Sequence, residues 1–329
     1  MKCFRVKGSN FECGVQLGQQ FRFEMQRRLD NYQINSATVA PHLKQLQQIY
    51  QYCNRKYNSN IQELKGISKG SGIDFWHLFY LNCSEISQNV HGCSSIAVVD
   101  QKNVLLAHNE DGDREERKEG CALIHYVLPT FSFHSYVYLG ELAGSAYNWN
   151  ENGLFFTLNY IPVKRLNLLG LPYYFLTRSL LEAKSIGQAI QFLKKNPCMS
   201  GFHCFIGQGN RIVSVEKYHD AVSVQEIKGF SPHTNHFVHG LFTSKIVPSS
   251  KVRLQRLQEL LSIFRSTPHF ISTADVVSLL FDTKSKDYPI YANGNTRITL
   301  STVLFDAMEK KVLIFPKDSK TLNDHFKLH

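Results

Sequence analysis

The chain has 329 residues, 43% of them hydrophobic and 19% charged, with a formal net charge of +10 and a pI near 9.1. Such a balance belongs to a soluble globular chain long enough to bury a large core without staples, as one large domain or two smaller ones. The basic excess holds no run of five basic residues and no nucleic-acid motif, and no apolar run approaches the roughly 18 residues of a bilayer span, which argues against a nucleic-acid partner and against membrane insertion.

The chain opens with MKCFRVKGSNFECG, which has no apolar core of a secretory signal. Eight cysteines occur without a single Cys-x-x-Cys pair, and together these features predict thiols in a reducing cytoplasm. Residues 1–90 read as mostly helical. Gly14, Gly18, Phe21, Met25 and Leu29 form the stripe of an amphipathic helix, and the two glycines allow close approach to a neighbour. Leu43, Leu46 and Tyr50 continue a helical pattern. The composition of KGISKGSGID, 65–74, predicts a loop, with Ser71 or Asp74 capping the next helix, FWHLFYLNCSEI.

The texture changes at Cys93. SIAVVD and VLLAHN predict two strands of a hairpin around Gln101-Lys102, and ALIHYVL, FHSYVYLG and GLFFTLNYI extend the β-rich block. Two helices follow, LPYYFLTRSLLEAK and SIGQAIQFLKKN, then strands FHCFIGQ, RIVSVEKY and AVSVQEI. Helices at 251–264 and 274–281 precede a closing pair, TLSTVLFD and KVLIFP. Strands come in hairpin-like groups with helices between the groups. That order predicts an α+β fold of layered antiparallel sheets with helices outside, not a doubly wound parallel sheet.

Cys93 stands where the helical block ends and the sheet block begins, in the stretch Gly92-Cys93-Ser94-Ser95. A cysteine at a strand start is usually a small buried hydrophobe. Its neighbours suggest another use. A free thiol has a pKa near about 8.5 and needs activation to become a nucleophile. If the Gly92–Cys93 bond were cut, Cys93 would carry its own α-amine, with a pKa of roughly 7.7–8.0, able to act as general base for its own side chain. The cut can be intramolecular: the sulfur attacks the Gly92 carbonyl, water resolves the thioester, and strain in the Gly92 backbone would help.

With those residues in view, the chain resembles the cysteine N-terminal nucleophile (Ntn) hydrolases, and within them the acyl-coenzyme A:isopenicillin N acyltransferase, or peptidase C45, family. The segments that carry the likeness occur in order: GSNFECGVQLGQQF, GCSSIAVV, AHNED, YNWNENGLFFTLNYI, GLPYYFLTRSLLEAKSIGQAI, PHTNH and TRITLSTVLFDAMEKKVLI. The resemblance implies a four-layer αββα sandwich of two stacked antiparallel sheets. It also implies cleavage between Gly92 and Cys93, and an acyl-enzyme at Cys93 formed from a small-molecule amide or acyl thioester. Residues 1–92 would then be a helical pro-segment that stays as a small subunit and 93–329 the catalytic portion, together one compact domain. No cofactor is implied, with acyl-coenzyme A a conceivable substrate.

Position by position, the resemblance casts Cys93 as nucleophile, Asp111 as the acidic residue beside it, Asn235 as the oxyanion-stabilising amide and Asn159 as a further polar contact. It places Arg297 where an arginine binds a substrate carboxylate or orients the site. The two ends of a hairpin lie together, so the reading expects Asp111 next to Cys93, orienting its α-amine. Glu110 stands where relatives carry an aromatic residue, which alters a pocket wall and speaks against penicillin-type substrates.

The same residues admit rival readings. A calcium loop starting at Asn109 fails, since its sixth position is Arg114 instead of Gly and its twelfth is Gly120 instead of Glu. His233, His236 and His239 are spaced three apart, so a zinc-dependent hydrolase centred on them is an alternative. A non-catalytic binding module that uses the basic, glutamine-rich helices before residue 70 is another.

Overall fold

The structure is a computed structural model that describes residues 2–87, 92–114, 120–245, 247–265, 271–295, 297–316 and 324–328. Its strands are β1 Cys3–Lys7, β2 Gly92–Val99, β3 Val104–Asp113, β4 Cys121–Val127, β5 Ser132–Tyr138, β6 Tyr147–Asn150 and β7 Phe155–Ile161. They continue with β8 Gly201–Gln208, β9 Arg211–Tyr218, β10 Ala221–Glu226, β11 Gly229–His233, β12 Arg297–Asp306, β13 Lys311–Pro316 and β14 Asp324–Lys327. The helices are α1 Asn10–Gln20, α2 Arg22–Asn31, α3 Ser36–Val39, α4 Leu43–Lys56, α5 Asn58–Ser71, α6 Phe75–Leu81 and α7 Ser84–Ser87, then α8 Tyr173–Leu180, α9 Ile186–Lys195, α10 Pro248–Arg265 and α11 Thr273–Leu280.

Two sheets form: an eight-stranded one in the order β1-β4-β5-β6-β7-β8-β9-β10 and a six-stranded one in the order β11-β2-β3-β12-β13-β14. Three apolar layers hold them. Leu17, Met25, Leu64 and Leu176 from helices pack on Ile124, Phe156 and Ile206 of the larger sheet. Leu123, Trp149 and Phe205 of that sheet meet Ala97, Leu106 and Phe305 of the smaller one. Ile96, Val98, Leu105 and Ala107, on the opposite face of the smaller sheet, meet Leu257, Leu261 and Val276 of α10 and α11. The order is therefore helix, sheet, sheet, helix, the expected αββα sandwich. Alternation of side chains along each strand sends successive residues of β2 and β3 to different layers.

The structure corrects several details. β1 is a strand that lies parallel to β4, so the larger sheet is not wholly antiparallel and residues 3–7 are woven into it. The expected single helix through Phe21 is two, broken where Phe21 takes φ −120° and ψ 23°. The expected loop at 65–74 is helical as far as Ser71, and Gly72 in the left-handed conformation ends it. The glycines that suggested a loop instead serve packing. A Cβ on Gly66 would lie 2.1 Å from the Phe11 carbonyl, and one on Gly14 2.1 Å from the Glu63 carbonyl, so α1 and α5 touch backbone to backbone. Asp74 is the residue that caps α6, accepting from the Trp76 N–H at 2.8 Å. Among the described residues no helix is long and apolar enough to cross a membrane.

Candidate active site

β2 and β3 pair antiparallel with Gly92 opposite Asp111, Cys93 opposite Glu110, Ser94 opposite Asn109 and Ser95 opposite His108. Cys93 shares the parity of Ala97, and Glu110 that of Leu106, so both point between the sheets. Asp111 shares the parity of Leu105 and Ala107, whose face meets the helices. This corrects the expected juxtaposition: the hairpin brings Asp111 to Gly92, and Glu110 is the carboxylate at the sulfur. Hairpin closure alone sets only which ends are near. The one-residue register decides which side chain shares a face.

Cys93 is 3% exposed, and its thiol hydrogen-bonds to Glu110. Burial first, then the charge and hydrogen bond of Glu110 and the charge of Asp111, push the thiol well above its ordinary range, with Arg253 opposing. In the uncut chain the sulfur is therefore held as thiol, and a base must remove its proton before it acts as a nucleophile. Glu110 also accepts from the Tyr138 hydroxyl at 2.5 Å and lies 3.0 Å from His108 Nε2.

Asn235 and Arg253 hold the backbone of Cys93. The Asn235 side-chain oxygen accepts from the Cys93 N–H at 3.0 Å and from Arg253 Nη2 at 2.8 Å. Arg253 Nη1 donates to the Cys93 carbonyl and, at 2.7 Å, to Ser94 Oγ. Two donors converge on that oxygen, which fixes the amide's orientation. Its nitrogen donates to the Tyr160 carbonyl at 2.9 Å. Asn235 thus presents oxygen to the Cys93 nitrogen, and of its two amide hydrogens one is engaged by Tyr160, which leaves one for an oxyanion. Sequence reasoning missed Arg253. Its signal was an arginine on the buried i, i+4, i+8 stripe Arg253-Leu257-Leu261 of α10. Burial, with repulsion from Arg297, lowers its pKa to about 10.

Arg297 Nη2 pairs with Asp111, whose other oxygen accepts from Thr299 Oγ1 at 2.6 Å. Arg297 is therefore engaged by a carboxylate of the chain itself. Its side chain stays 28% exposed and lines a cleft of about 650 Å³ with Ser249, Tyr288, Tyr291 and Asn293. A Cβ on Gly92 would meet Arg297 Nε at 3.1 Å, and Gly92 is absent from the positive-φ glycines. The glycine makes room for a guanidinium, and the expected backbone strain is not seen there. Cys93 lines a separate, smaller cavity, with about 20 Å³ open to the centre of a water-sized sphere, enough for roughly one water.

Asn159 stands away from that cavity, whose lining takes its strand neighbours Leu158 and Tyr160. It accepts from Ser95 Oγ at 2.9 Å and from His203 Nδ1 at 3.1 Å, within a polar seam between the sheets. Ser95 Oγ also lies 2.8 Å from His108 Nδ1, which joins this seam to Glu110 through the other ring nitrogen.

The three histidines proposed for zinc do not converge. His233 Nε2 meets Glu216 at 3.1 Å while its ring stacks on His203, His236 Nδ1 meets Ser250 Oγ at 2.7 Å, and His239 lies between Ser214 and Ser223. Among the described residues the donors close enough to share a metal ion are Cys93, His108 and Glu110, within 4.8 Å of one another. There the imidazole and carboxylate already satisfy each other.

A family model described as "Acyl-coenzyme A:6-aminopenicillanic acid acyl-transferase" matches residues 98–320, more than half of the chain, beginning five residues beyond Cys93. The chain is similar to a Drosophila melanogaster protein described as "Beta-alanyl-dopamine/carcinine hydrolase", 28% identical over 218 residues. The match covers 57% of this chain and 56% of that relative, so the chain spans little more than half of the relative's length. Among solved structures, a variant of conjugated bile acid hydrolase from Clostridium perfringens aligns at 12% identity and a TM-score of 0.49, covering 71% of this chain and 92% of that one. Penicillin V acylase from Agrobacterium tumefaciens aligns at 10% identity and a TM-score of 0.42, covering 70% and 84%.

Proposed function

The chain belongs to the acyl-coenzyme A:6-aminopenicillanic acid acyl-transferase family, and from that premise we propose that it is a self-processing amidohydrolase of small N-acyl amines, with Cys93 as nucleophile. In the precursor, Glu110 takes the thiol proton and the sulfur adds to the Gly92 carbonyl carbon. The C–N bond breaks, the Cys93 nitrogen receives the proton, and water hydrolyses the Gly92 thioester to release a carboxylate and the thiol. Residues 1–92 then remain as a small subunit, held by β1 in the larger sheet.

In turnover, the neutral α-amine of Cys93 accepts the thiol proton and the sulfur attacks the substrate amide. The departing amine takes that proton, and water releases the acyl group from sulfur. The second amide hydrogen of Asn235 serves the tetrahedral oxyanion, a donor of the kind worth about 3 kcal/mol. Asp111 and Arg297 anchor the Gly92 side of the bond, between the small cavity and the larger cleft.

The observation that carries this reading is the acceptor built for the Cys93 nitrogen: the Asn235 oxygen at 3.0 Å, itself held by a fully buried arginine that also grips the Cys93 carbonyl. A carbonyl oxygen so placed suits an amine that must stay beside its own thiol. The description of the Drosophila relative as a hydrolase of a β-alanyl amine supports an amide substrate and a hydrolytic outcome.

Mass spectrometry of the expressed protein tests it. Fragments 1–92 and 93–329 are expected from the wild type, and a single chain from Cys93→Ala. An intact wild-type chain that still hydrolyses N-acyl amines would refute the N-terminal-amine mechanism.

A further inference from the structure

Two loops run out from the site side by side. β7 carries Tyr160, which lines the Cys93 cavity, and leads into a loop at 162–170. Asn235 follows β11 and leads into a second loop at 237–245. Five of the twelve large apolar side chains exposed among the described residues sit on these loops: Leu166, Leu168, Leu169, Val238 and Leu241. Leu169 is 85% exposed and Leu241 64%. We propose that the two loops dock the protein on an anionic lipid surface, peripherally and with no helix entering the bilayer.

The loops form one surface. The Lys245 N–H donates to the Pro162 carbonyl at 3.0 Å, and the Arg165 carbonyl accepts from His219 Nε2 at 3.0 Å. A Cβ on Gly201 would lie 2.8 Å from both Phe237 Cζ and Val163 Cγ1, so these two side chains meet over one glycine. The rings of Tyr218, Phe237 and Phe242 pack on one another with centroids 5.2 to 5.8 Å apart. Aromatic side chains thus already fill the space under the loops, and the leucines face water. A cluster of this kind marks a surface that something else covers. The charge around it selects what. Lys164, Arg165 and Lys245 are exposed, neither loop contains Asp or Glu, and the adjoining turn at His219 adds one exposed acid, Asp220. Two such cationic faces repel each other, which disfavours a second copy of the chain. An anionic leaflet attracts them and lets the leucines leave water. The formal net charge of +10 adds long-range attraction in the same sense. Docking there holds the strand ends that carry Tyr160 and Asn235 toward the lipid.

Cosedimentation of the purified protein with vesicles tests this, independently of whether the protein hydrolyses amides. Phosphatidylcholine vesicles with about 30% phosphatidylserine should bind the wild type at least about tenfold more tightly than phosphatidylcholine alone. Salt at about 0.5 M should weaken that binding. Leu168→Ser, Leu169→Ser and Leu241→Ser combined should cost at least about tenfold in binding and leave the thermal melt unchanged, because all three side chains already face water. Lys164→Glu with Arg165→Glu should cost a similar factor. A wild type left in the supernatant with the anionic vesicles overturns the proposal. So does a triple leucine variant that binds as well as the wild type, since net charge alone would then explain the binding. A wild type with the mass of a dimer in solution, falling to that of a monomer in the triple variant, assigns the leucines to a second copy and overturns it too.

Discussion

Glu110 stands directly across the β2–β3 ladder from Cys93, and Asp111 stands across from Gly92. The two adjacent carboxylates thus serve opposite faces of one sheet. Glu110 hydrogen-bonds the thiol between the sheets, while Asp111 binds Arg297 and Thr299 on the helix-facing side. Two neighbouring acids in one tripeptide carry separable jobs, and substitution should separate them.

Arg253 reaches the Cys93 carbonyl, Ser94 Oγ and the Asn235 oxygen from α10 without lining the cavity. It acts as a positioning residue. Arg253→Lys keeps the charge but loses the fork that grips two acceptors at once. The expected outcome is slower self-cleavage and a kcat at least about tenfold lower, about 1.4 kcal/mol, with KM within about threefold. Steady-state kinetics on the processed variant, with the rate of cleavage followed by gel, checks this. A change confined to KM would place Arg253 in substrate binding instead.

Glu63 and Arg178 form a fully buried ion pair at 2.9 Å, and Tyr126 adds a hydrogen bond to Glu63 at 3.1 Å. Removal of one partner strands the other in hydrocarbon. Glu63→Ala in a Cys93→Ala background, which keeps the chain whole, should lose about 3–5 kcal/mol in urea unfolding. A loss below about 1 kcal/mol would mean that water reaches Arg178.

The contact between α1 and α5 depends on missing side chains. A Cβ on Gly66 must displace the Phe11 carbonyl, from which it would lie 2.1 Å. Gly66→Ala should therefore destabilise the chain by about 1–3 kcal/mol even though alanine is the better helix former. A thermal melt that shows a gain in stability would overturn this account of the interface.

Glu85 is buried, accepts from the Tyr173 N–H at 2.7 Å and from Ser200 Oγ at 3.1 Å, and burial raises its pKa from 4.5 to about 7. Between those values the folded chain binds the proton and the unfolded chain does not. Its contribution to stability is thus fully present below pH 4.5 and declines as pH rises toward 7. Glu85→Gln, neutral at every pH, should flatten that part of the stability-against-pH curve. An unchanged slope in unfolding measurements across this range would show that Glu85 ionises freely in the native state.

Much of the architecture was legible in the residues. Strand and helix blocks carry different periodicities, and grouped strands with grouped helices imply stacked sheets with helices outside, while the four-layer αββα order was implied by the family resemblance. The N-terminal block was less legible. β1 is five residues long and exists because β4 supplies a partner more than a hundred residues away. The glycines at 66 and 70 looked like a loop because their reason for being glycine lies on another helix.

At the site, the sequence by itself determined the cast: a cysteine after a glycine at the head of a strand, two acids toward the end of the next, an asparagine between the middle strand group and the closing pair. Those are covalent facts and local propensities, which need no partner to be read. Only the tertiary structure decided which acid meets the sulfur, that Arg297 belongs to Asp111, and that Arg253 and Asn235 jointly hold the Cys93 backbone. Each of these turns on strand register or on contacts made across layers, between residues as far apart as Cys93 and Arg253. A one-residue slip would exchange every inward and outward side chain while leaving the local sequence unaltered.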